Sequence, residues 1–475
     1  MLEKYDLVVI GGGSGGLVCA AGAASLGAHV ALIEKKKLGG DCLNTGCVPS
    51  KALIKSARMI HEIQNAEKYG IKKTSLEFDF KDIMDRVRQV QATIEPHDSR
   101  EKFESLGVSV KFGNYEFMDG NRITNGSEIL QAKRFVIATG SSPFIPTIEG
   151  LDPSQVLTSE NIWGLEKLPK SMIFIGGGPI SSELSQCMAR FGSQVTLLDR
   201  GAGLLHREDR DMAAFVQEAF VKDDMTLNFN GEVTHISHEP HLHHVTFKKQ
   251  NETLQYQAEK LFLALGRTPT LHGLGLEKVG IQFTPQGIGI NQHCETNIPH
   301  IYACGDVAGP YQFTHFADYQ ARIILRNALF PGKSKVDYRV IPWCTYTDPE
   351  LARVGLSEKE VKEKKISHQI IKYELNEHDR AVCDSENHGL VKIITEKRSD
   401  KILGASIVGP HAGDLLQEFT FAMKNNAGLK AISKTIHPYP TMTEISKRTA
   451  DEWMRRKLTP IVLKALKFYF KKLFR

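Results

Sequence analysis

A chain of 475 residues exceeds what one hydrophobic core sustains, so several domains are expected. Hydrophobic residues at 41% and charged residues at 24% are the balance of a globular protein and exclude extensive disorder. The net charge of +5, with Lys and Arg spread along the chain except at the C-terminus, gives no nucleic-acid footprint. No uncharged stretch reaches the about 18 to 20 apolar residues that a membrane span requires.

In chain order, MLEKYDLVVIGGG has neither the apolar core nor the cleavage site of a secretory signal, so a cytoplasmic location is expected. Leu7 to Ile10 read as a buried strand, followed by GGGSGG, a small-residue helix at 17–26 and a second strand at 29–34. Gly11, Gly13 and Gly16 fit GxGxxG, and Ser14 stands among them. Such glycines let the backbone approach a pyrophosphate at a helix N-terminus, where exposed N–H groups favour anions. Glu34 ends the second strand, where an acid holds ribose hydroxyls.

The next motif is GGDCLNTGCVPSK, 39–51. Three uses fit Cys42 and Cys47: a structural disulfide, a pair of metal ligands or a redox couple. The other six cysteines are scattered without a repeated ligand spacing, and no second Cys or His pair adjoins at zinc spacing. A disulfide in a cytosolic chain is more often catalytic than structural. A helical hairpin is expected over 53–106, then a buried strand ending in Thr139-Gly140 and a linker at 143–153.

The strand–glycine–helix–strand order then recurs. Residues 172–175 lead into GGGPIS with Gly176 and Gly178, a helix at 183–191 and a strand at 194–199 ending on Asp199. The acids fall at one interval, 34 − 11 and 199 − 176 both being 23. Ser181 stands at the third small position, loosening the expected helix–strand contact. LFLALG, 261–266, repeats the earlier strand and its closing glycine, Gly266. Five histidines in HISHEPHLHH, 235–244, have the chemistry to bind a metal, but with no catalytic motif adjoining they read as a polar hairpin. After a linker at 331–342 the alternation from Trp343 onward indicates a separate α+β domain.

These residues resemble the flavin-dependent pyridine nucleotide-disulfide oxidoreductases, the group that includes dihydrolipoyl dehydrogenase, glutathione reductase and the mercuric reductase core. The resemblance runs over about residues 5–453 and rests on GGDCLNTGCVPSK, Ala138-Thr139-Gly140, the second glycine motif, Tyr302-Ala303-Cys304-Gly305-Asp306 and HPYPTMTE. It implies an α/β fold of two Rossmann-like nucleotide-binding domains, for FAD and NAD(P), plus a C-terminal α+β dimerisation domain. The expected division is FAD-binding at 1–150 and 271–342, NAD(P)-binding at 151–270, an interface domain at 343–454 and a basic amphipathic tail at 455–475.

The resemblance also implies roles. FAD would lie on Gly11, Gly13, Ser14 and Gly16, with Lys51, Thr139 and Gly140 nearby, Glu34 on the adenosine ribose and Asp306 on the ribityl chain. NADH or NADPH would lie on Gly176 and Gly178, with Glu183 and Gly266 adjoining. Asp199 favours NADH, whereas Arg200 and Arg207 suit the 2′-phosphate of NADPH. Electrons would pass to a Cys42–Cys47 disulfide spanning neighbouring turns of one helix. Cys47 would face the flavin, Cys42 would exchange with substrate, and Lys51 would pair with Glu183 beside the flavin. A homodimer is implied, and no residue set is assigned to a resident metal.

The chain departs from the family at 437–444. Aligned on Pro440-Thr441 and Glu444, the place of the proton-accepting histidine is Tyr439, with His437 two residues earlier. An imidazole of pKa about 6.5 takes a proton from a thiol near neutrality, and a phenol of about 10 donates instead. Two readings follow: His437 reaches Cys42 with Glu444 orienting it, or Tyr439 hydrogen-bonds a substrate that needs no base. The function expected is electron transfer from NAD(P)H through FAD and the cysteine pair to a small disulfide or a metal ion. The alternatives are a dihydrolipoyl dehydrogenase of a 2-oxoacid dehydrogenase complex and a peripheral membrane donor to a quinone. The last rests on the tail RRKLTPIVLKALKFYFKKLFR, suited equally to anionic lipid and to packing on a partner subunit.

Overall fold

The computed structural model describes residues 2–72 and 75–474. Its first sheet runs parallel in the order Val108–Phe112, Val30–Glu34, Leu2–Ile10, Ile129–Ile137. The far edge of Ile129–Ile137 is shared: Arg122–Thr124 pairs antiparallel with its first half, and Ile301–Ala303 pairs parallel with its second. Strands of a parallel sheet are buried on both faces and read as apolar runs. Leu7 and Val9 accordingly pack with helix Ser14–Ser25, while Val8 and Ile10 pack with Phe117 and Phe135 on the other face.

Small residues let that helix lie close to its neighbour Thr314–Leu329. A Cβ on Gly15 would stand 2.8 Å from Cys304 Sγ, and one on Gly22 would stand 2.4 Å from Leu325. The chain leaves the first unit after residue 140 and returns to its core from Leu271, and Ile301–Ala303 completes the sheet. The intervening segment builds a second parallel sheet, ordered Thr226–Asn228, Gln194–Leu198, Ser171–Ile175, Lys260–Leu263. An antiparallel sheet of Glu232–Glu239, Leu242–Lys249 and Glu252–Ala258 accompanies it, and the histidine run forms its first hairpin as expected. The helical hairpin is also present, as Cys47–Gln64 and Phe80–Ile94.

The third unit is a five-stranded antiparallel sheet, Pro342–Thr345, Glu350–Gly355, Ile402–Gly409, Leu390–Glu396, His368–Glu374, with helices Ala412–Lys424 and Glu444–Arg455 on its core. Buried charges join it to the second unit. Lys392, 1% exposed, reaches Asp209 at 3.1 Å, Asp211 at 2.6 Å and Glu358 at 3.0 Å. Arg353 bridges Glu208 at 2.9 Å and Glu360 at 2.8 Å, and Arg190 bridges Asp223 at 3.0 Å and Asp348 at 2.7 Å. Beyond Arg455 a final helix, Pro460–Leu473, is capped by Thr459 and buries none of its residues.

Removing one partner of a buried ion cluster strands the others. Lys392→Ala leaves three facing carboxylates, and the expected cost is about 3 kcal/mol, read as a lower midpoint of the first urea transition. Lys401→Ala, which removes an exposed pair with Glu396, changes that midpoint by less than about 0.5 kcal/mol equivalent.

Candidate active site

The two glycine loops fold alike. Gly11 and Gly176 hold φ of +110° and +109°, and a Cβ would stand 2.3 Å from Ala138 O in the first and 2.4 Å from Ala264 O in the second. Both positions therefore require glycine. Gly16 is as constrained, with a Cβ 1.8 Å from Gly11 O, whereas Ser181 in the second loop is accommodated and fully buried. The helices that follow, Ser14–Ser25 and Pro179–Phe191, begin at Gly13 and Gly178 without side-chain caps, so their first N–H groups are free for an anion.

The acids orient the loops. Glu34 accepts from Gly12 N at 2.8 Å, and Asp199 accepts from Gly177 N at 2.6 Å and Gly201 N at 2.5 Å. Arg200 and Arg207 line the same cavity beyond Asp199. That cavity, about 2490 Å³, runs continuously past both loops and the two cysteines. It exceeds the roughly 300–1,000 Å³ of a single small-molecule site and fits two dinucleotides end to end.

Between the loops, the segments after the closing glycines meet. Ser141–Pro143 pairs antiparallel with Arg267–Pro269. Thr139 Oγ1 donates to Thr270 O at 2.8 Å. Ser141 Oγ donates to Asp306 at 2.6 Å while accepting from Arg267 Nε at 2.7 Å, and Arg267 reaches Asp41 at 3.1 Å. Burial pushes the Asp306 carboxyl up, and Ser141 and Arg267 oppose it.

The cysteines do not share one helix. Cys42 lies in the short helix Gly40–Asn44, and Cys47 opens Cys47–Gln64 after a break at Thr45 and Gly46. Carbonyls freed at the break are taken by side chains: Gln91 Nε2 donates to Leu43 O at 3.0 Å and Asn44 O at 2.9 Å, and Trp163 Nε1 donates to Thr45 O at 2.9 Å. The short helix is pressed onto the first glycine loop, since a Cβ on Gly40 would stand 2.6 Å from Gly13 Cα.

This placement gives the two thiols opposite character. Both are free thiols, and Cys47 sits at a helix N-terminus, which favours its thiolate. The hydrogen bond from Cys42 lowers Cys47 to about 6, burial opposing and the Thr314 hydroxyl and Lys51 ammonium reinforcing it. The same bond, then burial and the Cys47 charge, pushes Cys42 up. Thr314 Oγ1 lies 3.4 Å from Cys47 Sγ. One turn on, Lys51 Nζ meets Glu183 Oε2 at 2.8 Å and lies 4.4 Å over the Tyr346 ring, while Glu183 Oε1 accepts from Tyr346 N at 2.9 Å. Burial works to lower the lysine, and the Glu183 carboxylate more than offsets it, so Lys51 is held raised.

Residues 437–444 are arranged differently from the first of the two readings. His437 Nδ1 faces Thr435 O at 3.0 Å and Nε2 faces the Glu418 carboxylate at 3.0 Å, so both ring nitrogens are engaged by acceptors of the C-terminal unit. Glu444 is buried against Arg448 at 2.8 Å and orients neither His437 nor Tyr439. Tyr439, 66% exposed, donates to Asp379 at 3.2 Å. Within one chain none of the three lines the cavity.

Thr314, Tyr346 and Ser141 were not singled out from sequence. For Ser141 a signal existed, because ATGSSP at 138–143 and ALGRTP at 264–269 are one pattern, and the structure pairs them. For Thr314 and Tyr346 no local motif points to the cysteines; tertiary approach alone brings them there.

Residues 5–321 match the family model described as pyridine nucleotide-disulphide oxidoreductase, and 341–450 match its dimerisation domain. Among similar proteins, dihydrolipoyl dehydrogenase of Bacillus subtilis is 32% identical over 94% of this chain and 97% of its own length. Mercuric reductase of Streptomyces lividans is 32% identical over 94% and 96%. Among solved structures, the HOCl-induced flavoprotein disulfide reductase RclA from Escherichia coli has a TM-score of 0.84 at 26% identity, covering 94% of this chain and 99% of that one. LpdA from Mycobacterium tuberculosis has a TM-score of 0.86 with the same identity and coverage. Helix Pro460–Leu473 lies beyond both family matches.

The opposed thiols predict that the thiolate absorbance of the two-electron-reduced protein disappears as pH falls through about 6. It is absent from Cys47→Ser, and its midpoint moves upward in Lys51→Met, measured by spectrophotometric pH titration. The loops predict separable losses. Gly11→Ala purifies colourless, whereas Gly176→Ala stays yellow and is reduced by dithionite but not by NADH or NADPH.

Proposed function

The chain belongs to the pyridine nucleotide-disulphide oxidoreductase family, FAD- and NAD(P)H-dependent enzymes acting on sulfur groups, and from that premise we propose that it reduces a small disulfide or a metal ion through Cys42 and Cys47. The observation that carries this reading is the position of the two sulfurs in one cavity with both dinucleotide loops, beside the Lys51–Glu183 pair. FAD bound on the first loop supplies the two-electron relay between the nicotinamide and the sulfurs.

The chain's own groups do the rest. Two electrons break the Cys42–Cys47 bond, leaving one proton on Cys42 and a thiolate on Cys47, stabilised by Thr314 and Lys51. Cys42 attacks one sulfur of an acceptor disulfide; its proton goes to the leaving thiolate. Cys47 then attacks Cys42, the second acceptor sulfur leaves with a proton from solvent, and the internal bond is restored. The balance is NAD(P)H, one proton and a disulfide giving NAD(P)⁺ and two thiols. A metal ion instead meets two sulfurs from which a single proton must be displaced. Asp199, with both oxygens oriented by loop amides, favours NADH.

Tyr439 in place of a proton-accepting histidine counts against a dihydrolipoyl dehydrogenase of a multienzyme complex. RclA, the HOCl-induced disulfide reductase that also has a solved Cu(II) complex, is a structural neighbour whose chemistry agrees with this proposal. The matched dimerisation domain supports a homodimer, and the proposed location is the cytoplasm. A quinone acceptor is the second reading, favoured by the exposed C-terminal helix.

A turnover panel tests the proposal: NADH against NADPH with lipoamide, glutathione disulfide, Cu(II), Hg(II) and a soluble quinone. Disulfide or metal turnover that is lost in Cys42→Ser supports it, and quinone turnover that survives in Cys42→Ser favours the second reading. On the best acceptor, Tyr439→Phe lowers kcat by about tenfold, the worth of one hydrogen bond to the reacting group. His437→Ala changes kcat less and lowers the thermal midpoint, because Glu418 loses its partner.

A further inference from the structure

Beyond Glu452 the chain contains eight Lys or Arg residues and no Asp or Glu. Thr459 caps the last helix and Pro460 occupies its first turn, so Pro460–Leu473 is specified locally and needs no docking partner to begin. Its side chains separate around the axis. Lys464, Lys467, Lys471 and Lys472 gather on one side, with Ile461 and Phe468 among them; Val462, Leu466, Tyr469 and Leu473 form the opposite face, flanked by Leu463 and Phe470. Phe468 is 69% exposed and Leu473 55%, and among the described residues none of this helix is buried.

We propose that this helix docks the protein onto a bilayer containing anionic phospholipid. Charge complementarity selects that occupant: a lysine-rich side without any acid meets negative headgroups, while the opposite apolar face enters the acyl boundary. Fourteen residues rise about 21 Å, short of the about 30 Å hydrocarbon core, so the helix lies along the interface. Among the described residues no helix is long and apolar enough to cross a membrane. In a homodimer two such helices act together, which strengthens attachment without new contacts. The proposal rests on no step of the electron-transfer reading.

The test is flotation of the yellow, full-length holoprotein with phosphatidylcholine vesicles and with phosphatidylcholine–phosphatidylglycerol vesicles. The full chain floats with the anionic vesicles, stays behind with the neutral ones and is released by salt. The triple variant Lys464→Glu, Lys467→Glu, Lys471→Glu binds at least about 100-fold more weakly, from about 1 kcal/mol per lysine. Leu466→Ser with Leu473→Ser also fails to float, and both variants keep flavin and wild-type turnover. Failure of the full chain to float, or equal flotation of the charge-reversed variant, overturns the proposal. So does a change of the dimer to monomers in the Ser variant by light scattering without vesicle binding, which would assign the apolar face to a second copy.

Discussion

Glu183 is the point at which three parts of the chain are tied together. One carboxylate oxygen holds Lys51 from the helix that Cys47 opens, and the other accepts the backbone N–H of Tyr346 from the C-terminal unit. The carboxylate stands on Pro179–Phe191, the helix whose N-terminus faces the second nucleotide cavity. Gln186 and Arg190 follow on the same face, and both bind Asp348. A single helix thus presents free N–H groups at one end and a polar stripe along its side. The stripe fixes the loop at 345–350, and through it the third unit, against the sulfur pair.

The electrostatics of that pair follow from position. A thiol at a helix start with an ammonium one turn away favours its anion, and a second thiol beside that anion is left holding the proton. Lys51 is supplied by the same motif as Cys47, but the helix start is not. The break at Thr45 and Gly46, sustained by Gln91 and Trp163, puts Cys47 at the start of a helix rather than in the middle of one.

Much of the architecture was legible because it is repeated. Gly11 and Gly176, Glu34 and Asp199, Gly140 and Gly266 are constrained by the same backbone contacts, so one pattern announces the other. The histidine run read as a hairpin because no catalytic motif adjoins it, and the structure pairs Glu232–Glu239 with Leu242–Lys249. Residues 437–444 were less legible: the sequence offered His437 and Glu444 as a couple, but each has a nearer partner, Glu418 and Arg448, supplied by helix packing. Thr314 and Tyr346 were silent for a related reason, their roles arising only where distant segments converge.

The crossed strands Ser141–Pro143 and Arg267–Pro269 have a consequence for how such a chain came to be assembled. Each leaves the end of a parallel sheet at a glycine with positive φ, +69° at Gly140 and +117° at Gly266, and each is at once hydrogen-bonded to the other. The entrance and exit of the inserted unit therefore lie side by side. A closed module with adjacent ends can be spliced into a loop of a host without displacing any strand of the host's sheet. The matching ATGSSP and ALGRTP place the same glycine exit at both ends of the inserted unit.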